Sequence, residues 1–331
     1  MAFPSESGNG VAVLIVNYNA GRELPRCLAA LREQRLSPGK IVVVDNASND
    51  GSPAMVAADY PEVELIRLPQ NVGFAAGNNR GLEACAGYRW IALLNPDAFA
   101  EPGWLSELLR TAEANPGAAS FASRLVDAAD SEIIDGDGDT YHVSGLAWRR
   151  HHGRRAAEVD DTDEAIFAPC AGAALYRLDA LEQAGGFDEV FFCYFEDVDL
   201  GFRLRLLGYG CRYVPASVVR HVGSATTGLD SDFSVYHGHR NLVWCYAKNM
   251  PGRLLWRYLP QHLLMNFVIL AYYTLRGRAG VIWRAKFDAV RGLPRALAER
   301  KEIQARRRVS GNHLRGHMSR DLLKPYIGRH V

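Results

Sequence analysis

Continuous apolar runs alternate with helix-periodic segments over the first hundred residues of the chain. Residues 11–18 and 40–45 have the length and composition of buried strands, and residues 63–68 and 90–95 predict a third and a fourth strand. Segments with apolar residues at helical spacing lie between them, and Ser52-Pro53 predicts a helix start. Since strands that alternate with helices form a mostly parallel sheet covered on both faces, the pattern predicts an α/β fold.

Polar residues stand where three of these strands end: Asn17, Asp45 and Asp97. An isolated Asn-Pro-Asp is also ordinary turn chemistry, but ligands of open α/β sheets bind beyond the carboxyl ends of the strands. Neither a G-x-G-x-x-G nor a G-x-x-x-x-G-K-[ST] sequence follows the first strand. The predicted site therefore relies on carboxylates, and bound phosphates would need a metal ion between them and the acids.

A second candidate site lies in residues 168–210. A small-residue strand is followed by a short helix that Gly185-Gly186 ends, and then by an aromatic run. Leucines at helical spacing place Glu196, Asp197 and Asp199 on the first turn of the next helix. Acids at this position also complement the helix dipole and cap free N–H groups. However, the preceding aromatic side chains would raise a carboxylate pKa towards that of a general base.

Residues 130–165 show no clear periodicity and predict a long loop, which we interpret as a mobile lid over donor or acceptor. Its acidic residues Asp135, Asp137 and Asp139 suggest a calcium-binding loop. Leu146 stands where that loop requires Glu, which excludes it.

The net charge of +1 hides a strong asymmetry between the two parts of the chain. From Arg240 onwards there are 19 Lys and Arg but 4 Asp and Glu, a charge of +15, while the preceding residues carry −14. Such a basic segment predicts an anionic partner, membrane or nucleic acid, with a solvated helical tail as the alternative. Six cysteines without C-x-x-C spacing and no signal peptide in the first ten residues predict a reduced, cytoplasmic protein.

The basic segment contains an apolar stretch. Residues 258–275 carry no charged side chain, but the truly apolar part, residues 263–275, has 13 residues. These form about 20 Å of helix, against a hydrocarbon core of about 30 Å. The stretch therefore predicts a helix lying in an anionic membrane surface, with peripheral attachment to the inner face of the cell membrane. The alternative is a helical subdomain that packs on the catalytic domain or on a second copy of the chain.

Four segments in this order and spacing resemble family 2 glycosyltransferases, in particular the rhamnosyltransferase-like subgroup. They are VAVLIVNYNAGRELPRCL, IVVVDNASNDGS, NVGFAAGNNRGL and LLNPDA, and the resemblance spans roughly residues 11–250. It implies the GT-A fold, a nucleotide-binding half (residues 11–98) fused to an acceptor half (residues 99–240). These form a catalytic domain, residues 1–240, followed by a basic amphipathic helical region, residues 241–331.

The resemblance also implies roles for individual residues in donor binding. Asp45 would bind the base or ribose of a sugar nucleotide, and Asn17 would line the same pocket. Asn78 and Asn79 would lie near the ribose and phosphates. Asp97 would contact the donor through the metal of the "DxD" motif.

The metal site departs from the family pattern, because Asn95 replaces the first acid of the "DxD" motif. An amide supplies no charge to a divalent ion. In the resembled family a histidine at the place of His221 binds the metal, and it would provide the second ligand beside Asp97. One nitrogen and one carboxylate, with diphosphate oxygens and water, suit Mn²⁺ or Mg²⁺.

For catalysis, the resemblance implies that Asp197 is the general base, with Glu196 as the alternative. The expected activity is inverting, metal-dependent transfer of a sugar, L-rhamnose in the subgroup, from a dTDP- or UDP-sugar. The acceptor would be a hydroxyl of a glycan or lipid-linked acceptor in cell-surface polysaccharide synthesis, and nucleic acid is not an expected partner. One alternative is a sugar-nucleotide nucleotidyltransferase, but its Gly-rich phosphate loop is missing. A non-catalytic, membrane-associated glycan-binding protein is the other, and Asp97, Asp197 and His221 argue against it.

Overall fold

The structure, a computed structural model, describes residues 10–159, 162–223 and 231–321. The signal-peptide prediction concerns residues that lie mostly outside these ranges. The strands are β1 (Val11–Asn17), β2 (Lys40–Asp45), β3 (Val63–Arg67), β4 (Trp90–Leu94), β5 (Ala98–Ala100), β6 (Ala118–Asp127), β7 (Ile134–Gly136), β8 (Asp139–Tyr141), β9 (Ala147–Arg149), β10 (Ala173–Arg177) and β11 (Gly210–His221). The helices are α1 (Leu24–Arg32), α2 (Ser52–Asp59), α3 (Gly73–Ala84), α4 (Trp104–Ala114), α5 (Leu178–Ala184), α6 (Glu196–Leu206), α7 (Asp232–Asn249), α8 (Gly252–Leu275), α9 (Ala279–Ala305) and α10 (Gly311–Gly316).

The first half of the main sheet is parallel, with β3, β2, β1 and β4 side by side. All four predicted strands are therefore confirmed. β1 is buried along its whole length, which explains its continuous apolar run. In the pairing of β1 with β2, Asn17 stands opposite Asp45. The two polar strand ends thus lie side by side at one edge of the sheet.

The second half of the sheet is mixed, which corrects the prediction of a mostly parallel sheet. β10 runs antiparallel to both β4 and β6, and β11 runs parallel to β6 but antiparallel to β5. Hydrophobic periodicity identifies a strand but carries no information on its direction. The pairing of β11 with β6 is irregular between Val214 and Val218, which pair with the consecutive residues Ser123 and Arg124.

Residues 130–165, predicted to be a long loop, contain three short strands in the part that the structure describes. β7 pairs with β6, and β8 with β9 forms a hairpin. Each of these strands has three residues. They are too short to produce a recognisable period, so hydrophobic patterning could not reveal them.

The C-terminal helices α7, α8 and α9 pack on the catalytic half, since Trp244, Leu254 and Ala296 share one buried apolar cluster with Phe202 of α6. The α7 residue Trp244 lies against Gly292 of α9, where an added Cβ would be 2.4 Å from the indole. The predicted domain division at residue 240 falls within α7 and remains a prediction. Among the described residues, no helix is both long and apolar enough to cross a membrane.

Candidate active site

The ends of β1 and β2 form a buried polar corner. The Asn17 side-chain amide donates hydrogen bonds to Asp45 Oδ1 at 3.0 Å and to Ser52 Oγ at 2.8 Å. Asp45 Oδ2 accepts from the Ser48 backbone N–H at 3.2 Å. Asn17 Oδ1 is buried and has no hydrogen-bond partner among the described residues. Because buried polar atoms are normally paired, this oxygen is an exception at the buried end of β1.

The two asparagines of α3 take different positions. Asn78 is buried, and its amide donates to the Phe74 carbonyl within the helix at 2.9 Å. Asn79 donates to the Phe187 carbonyl at 2.8 Å and accepts from the Phe187 backbone N–H at 2.9 Å. The Asn79 amide therefore joins α3 to the segment before α6. That use leaves Asn79 little capacity for the ribose or phosphate contacts that the family resemblance implied.

Asp97 and His221 meet where β5 begins and β11 ends. His221 Nε2 lies 3.3 Å from Asp97 Oδ1, and its Nδ1 lies 2.8 Å from Asp135 Oδ2. The two partners of His221 come from separate segments: Asp97 immediately precedes β5, which pairs with β11, and Asp135 lies on β7. Asp135 also accepts from the Arg149 guanidinium, with Nη1 at 2.7 Å from each carboxylate oxygen. The imidazole is thus oriented by one carboxylate and directed at another.

The neighbouring charges in this cluster shift the pKa values of His221 and Asp135. Burial alone would lower the pKa of His221, but hydrogen bonds to Asp135 and Asp97, together with their charges, raise it to about 9. The pKa of Asp135 is lowered despite burial, because His152, His221 and Arg149 surround the carboxylate. His221 is therefore protonated at neutral pH, in the absence of a bound cation.

The residues present fit a divalent cation only in part. His221 Nε2 is buried without a well-directed hydrogen bond among the described residues, and it faces the Asp97 carboxylate. One imidazole and one carboxylate are a suitable donor pair for Mn²⁺. However, within the described ranges no three His, Cys, Asp or Glu side chains form a metal site. A cation here would need further oxygen ligands, such as those of a diphosphate.

The acids Glu196 and Asp197 begin α6, as the sequence predicted, but their surroundings differ. Asp197 is partly exposed, and its carboxylate accepts from the backbone N–H groups of Ala171 at 3.1 Å and Val198 at 2.8 Å. Glu196 is buried, and its Oε2 has no hydrogen-bond partner among the described residues. Burial raises the pKa of both carboxyl groups, and the pKa of Glu196 is raised further by the neighbouring Asp197.

The loop before α6 has an unusual backbone. Phe192, Tyr194 and Phe195 all have positive φ, between 65° and 68°, a region that bulky residues rarely adopt. The buried amide of Asn241, on α7, holds this loop by donating to the carbonyls of Phe191, Cys193 and Tyr194 at 2.7–3.0 Å. Residues held in such conformations concentrate at functional sites. α7 is thus part of the support of the two acids.

Asp199, the third acid of α6, has a structural environment. Its Oδ2 accepts from Arg203 Nε at 2.8 Å, and its Oδ1 lies 2.6 Å from Asn249 Nδ2 and 3.1 Å from Lys248 Nζ. The carboxylate is fully buried. Helix capping was one role that the sequence left open for this acid, and the structure shows an ion pair that joins α6 to α7.

We expect Asp199→Asn to lower the free energy of unfolding by about 3 kcal/mol, because removing one partner leaves buried cations uncompensated. Urea unfolding followed by circular dichroism measures this change. Asp197→Asn is the matched control, since no cation pairs with Asp197 among the described residues, and its unfolding midpoint should hardly move. Equal midpoints for the two variants would contradict the structural role of Asp199.

Three residues of the site were not assigned a role from the sequence: Asp135, Asp139 and Arg149. Asp139 is buried, and burial with the nearby Asp197 carboxylate raises its pKa well above the usual range. Arg149 forms an ion pair with Asp135, and it stands opposite Asp139 in the β8–β9 hairpin. The alternating acids at 135–139 were the available signal, but their pattern resembled only a calcium loop.

Comparisons with known proteins agree with this architecture. The family model described as "Glycosyl transferase family 2" matches residues 12–185, and the model described as "Glycosyl transferase family group 2" matches residues 166–283. An N-acetylglucosaminyl-diphospho-decaprenol L-rhamnosyltransferase of Mycobacterium tuberculosis is 31% identical over 247 residues, which cover 68% of this chain and 80% of the relative.

Solved structures show the same fold at low sequence identity. The mannosyltransferase PcManGT from Pyrobaculum calidifontis, in complex with GDP-Man and Mn²⁺, has a TM-score of 0.54 and 18% identity, covering 89% of this chain and 85% of that one. GalNAc-T7 with UDP, GalNAc and Mn²⁺ has a TM-score of 0.59 and 16% identity, and the match covers 72% of this chain and 48% of that one. The chain therefore belongs to glycosyltransferase family 2 and is a glycosyl-transfer enzyme with the GT-A fold.

Proposed function

We propose that this enzyme transfers a sugar, with inversion, from a dTDP- or UDP-sugar to a hydroxyl of a lipid-linked glycan acceptor. The observation that carries the proposal is the Asp97–His221 pair, which lies in the same sheet as the Asn17–Asp45 corner. The corner offers buried hydrogen-bonding groups for a base or ribose. The pair offers a cation site for the diphosphate that leaves.

In this proposal Asp97 and His221 hold Mn²⁺ or Mg²⁺, with Asp135 fixing the tautomer and orientation of His221. A bound cation would neutralise the charge that develops on the leaving diphosphate. Binding requires neutral His221, so the imidazole must release its proton as the cation enters. The fixed Nδ1–Asp135 hydrogen bond keeps Nε2 directed at Asp97 throughout.

Asp197 accepts the proton of the acceptor hydroxyl as that hydroxyl attacks the anomeric carbon. Its two backbone hydrogen bonds fix the carboxylate and favour the ionised form. Glu196 is less suited, because burial and the neighbouring Asp197 raise the pKa of its carboxyl group well above the usual range. Direct attack with one base gives inversion at the anomeric carbon.

L-Rhamnose as the sugar and a prenyl-diphosphate-linked N-acetylglucosamine as the acceptor are suggested by the name of the mycobacterial relative. Such an acceptor places the enzyme at the inner face of the cell membrane. The family finding favours transfer over the nucleotidyltransferase and non-catalytic alternatives.

A thermal-shift comparison of sugar nucleotides tests the donor, because a ligand that binds the native state raises the unfolding temperature. We expect dTDP-rhamnose or a UDP-sugar to stabilise the protein more with Mn²⁺ than without it. Transfer to a synthetic prenyl-diphosphate N-acetylglucosamine then tests the acceptor. Stabilisation only by purine sugar nucleotides would contradict the proposed donor class.

We expect Asp135→Asn to weaken Mn²⁺ binding about 10- to 100-fold, the usual effect of losing the carboxylate partner of a ligating histidine. Electron paramagnetic resonance of free Mn²⁺ in the presence of UDP measures the affinity without any turnover. Asp137→Asn is the control, because Asp137 contacts His151 and not His221. Equal Mn²⁺ affinities for the two variants would remove Asp135 from the cation site.

A further inference from the structure

Exposed large apolar side chains are concentrated on two helices. Fourteen such side chains are exposed in the described part of the chain, and eleven of them lie on α8 and α9. They are Trp256, Leu263, Leu264, Phe267, Val268, Tyr272 and Leu275 on α8, and Trp283, Phe287, Val290 and Leu297 on α9. A water-soluble surface does not normally expose apolar side chains in such a cluster, so this face has a partner.

The exposed side chains of α9 form a stripe. Trp283, Phe287, Val290 and Leu297 follow one another at intervals of three, four or seven residues, which places them on one side of the helix. They are 47–62% exposed, although α9 also has a buried side that packs on α7. The stripe is therefore a second apolar face, distinct from the face that stabilises the fold.

α8 is apolar on its outer side as well as its inner side. Its inner side buries Leu254, His262, Met265 and Tyr273. Its outer side exposes Phe267 by 67% and Leu275 by 87%, and the helix contains no acidic residue. A helix that exposes large apolar side chains on the side opposite its buried face has a second face suited to a nonpolar environment.

Arginines border the two apolar faces. Arg257, Arg276 and Arg291 are exposed, and each guanidinium lies over a neighbouring aromatic ring, at 4.7–5.6 Å from its centroid. None of the three pairs with a carboxylate in the described ranges. Their cationic groups are thus available to anionic partners at the edge of the apolar surface.

The acids of α9 do not complement these arginines. Asp288 accepts from the Tyr236 hydroxyl at 2.7 Å, and Glu299 binds Arg295 and Lys248. The third acid, Glu302, is exposed near the C-terminal end of α9. A second copy of the chain would therefore bring a surface rich in arginine and poor in acids against the same surface. An anionic bilayer complements both the apolar stripe and the arginine border.

We propose that the outer faces of α8 and α9 form a docking surface for an anionic lipid bilayer, into which the aromatic and aliphatic side chains insert while the arginines bind lipid phosphates. The proposal rests on the membrane-peripheral location in the proposed function and specifies its surface. The helices lie in the interface and do not cross it, since residues 263–275 cover about 20 Å of a hydrocarbon core about 30 Å thick.

Co-sedimentation of the full chain with vesicles tests the surface. We expect binding to phosphatidylglycerol vesicles at low salt, at least tenfold weaker binding to phosphatidylcholine vesicles, and reduced but persistent binding at high salt. Phe267→Gln with Leu275→Gln and Phe287→Gln should weaken binding at least tenfold. Because the three side chains are exposed, the variant should unfold at the temperature of the unaltered protein.

A charge comparison separates specific docking from general attraction. Arg257→Gln with Arg276→Gln and Arg291→Gln should weaken binding to phosphatidylglycerol at least tenfold. The matched variant removes three exposed arginines of the catalytic half, Arg67, Arg80 and Arg110, and should bind as the unaltered protein does. Similar losses in both variants would overturn the assignment of the border arginines.

A soluble acceptor with a short prenyl chain distinguishes this proposal from the proposed function. Transfer to it should be unaffected by the apolar substitutions, and absence of transfer in the unaltered protein would count against the proposed function alone. Failure of the full chain to bind phosphatidylglycerol vesicles at low salt would overturn the docking surface. So would a dimer in solution that the apolar substitutions convert to a monomer without changing vesicle binding, because a second copy would then cover the face.

Discussion

Replacing Asp197 by Asn is expected to lower turnover by about 10²- to 10⁴-fold, the usual cost of losing a general base, with little change in donor affinity. The amide keeps the shape of the side chain but cannot accept the proton of the acceptor hydroxyl. Asn retains one oxygen for the backbone N–H of Ala171 or Val198, so the start of α6 should keep its geometry. Steady-state transfer rates and isothermal titration with the donor separate the two effects.

Glu196→Gln is the matched comparison for this prediction. Burial and the adjacent carboxylate raise the pKa of Glu196, which disfavours the ionised form that a base requires, so the amide analogue should differ little from it in function. We therefore expect a much smaller loss of turnover for Glu196→Gln. A larger loss for Glu196→Gln than for Asp197→Asn would assign the base to Glu196.

The dependence of turnover on pH provides an independent measure of the base. Burial raises the pKa of Asp197, and the protonated carboxyl group cannot act as a base. Activity should therefore be lost as the pH falls through a pKa above the usual value for aspartate. This acidic limb should be missing from the residual activity of Asp197→Asn.

Asp97→Asn is expected to abolish Mn²⁺-dependent donor binding, and His221→Gln to weaken it. The amide at position 97 supplies no charge to a cation, and position 95 already carries Asn, so no carboxylate of the "DxD" motif remains. Titration of UDP with and without Mn²⁺ measures the effect. Metal dependence that persists unchanged in both variants would place the cation elsewhere.

The pH dependence of Mn²⁺ binding follows from the His221 pKa of about 9. Below this pH the imidazole is protonated and Mn²⁺ must displace the proton, so affinity should rise as the pH increases towards 9. In His221→Gln this rise should be much smaller. The same slope in both proteins would show that another group controls cation binding.

The sequence predicts best what depends on local pattern. The strands β1, β2 and β4 are continuous apolar runs because both of their faces are buried, and the sequence reveals this without information on neighbouring strands. The edge strand β3 is only partly buried and carries Glu64 and Arg67 among its apolar residues. The proximity of Asn17 and Asp45 follows from adjacent parallel strands. The position of Glu196 on the first helical turn follows from the spacing of the leucines after it.

Contacts between distant segments could not be predicted in the same way. Asp135 and His221 are 86 residues apart, and they meet because β7 and β11 both pair with β6. The direction of β10 and the attachment of Asn79 to Phe187 likewise depend on how the completed sheet and its loops pack. The family resemblance supplied a role for His221 but none for Asp135.

The pairing of β11 with β6 is irregular before His221, so the position of this proposed cation ligand depends on the correct alignment of the two strands. Residues 215–217 lie between partners of the consecutive residues Ser123 and Arg124, and Ser217 is fixed there by its hydroxyl contact with the Trp104 carbonyl at 3.2 Å. Side chains alternate between the two faces of a strand, so a slip by one position beyond this point would direct His221 away from Asp97. A chain that folds with this slip could retain its core and still bind no cation, which makes Mn²⁺ affinity a stricter criterion of native folding than secondary-structure content.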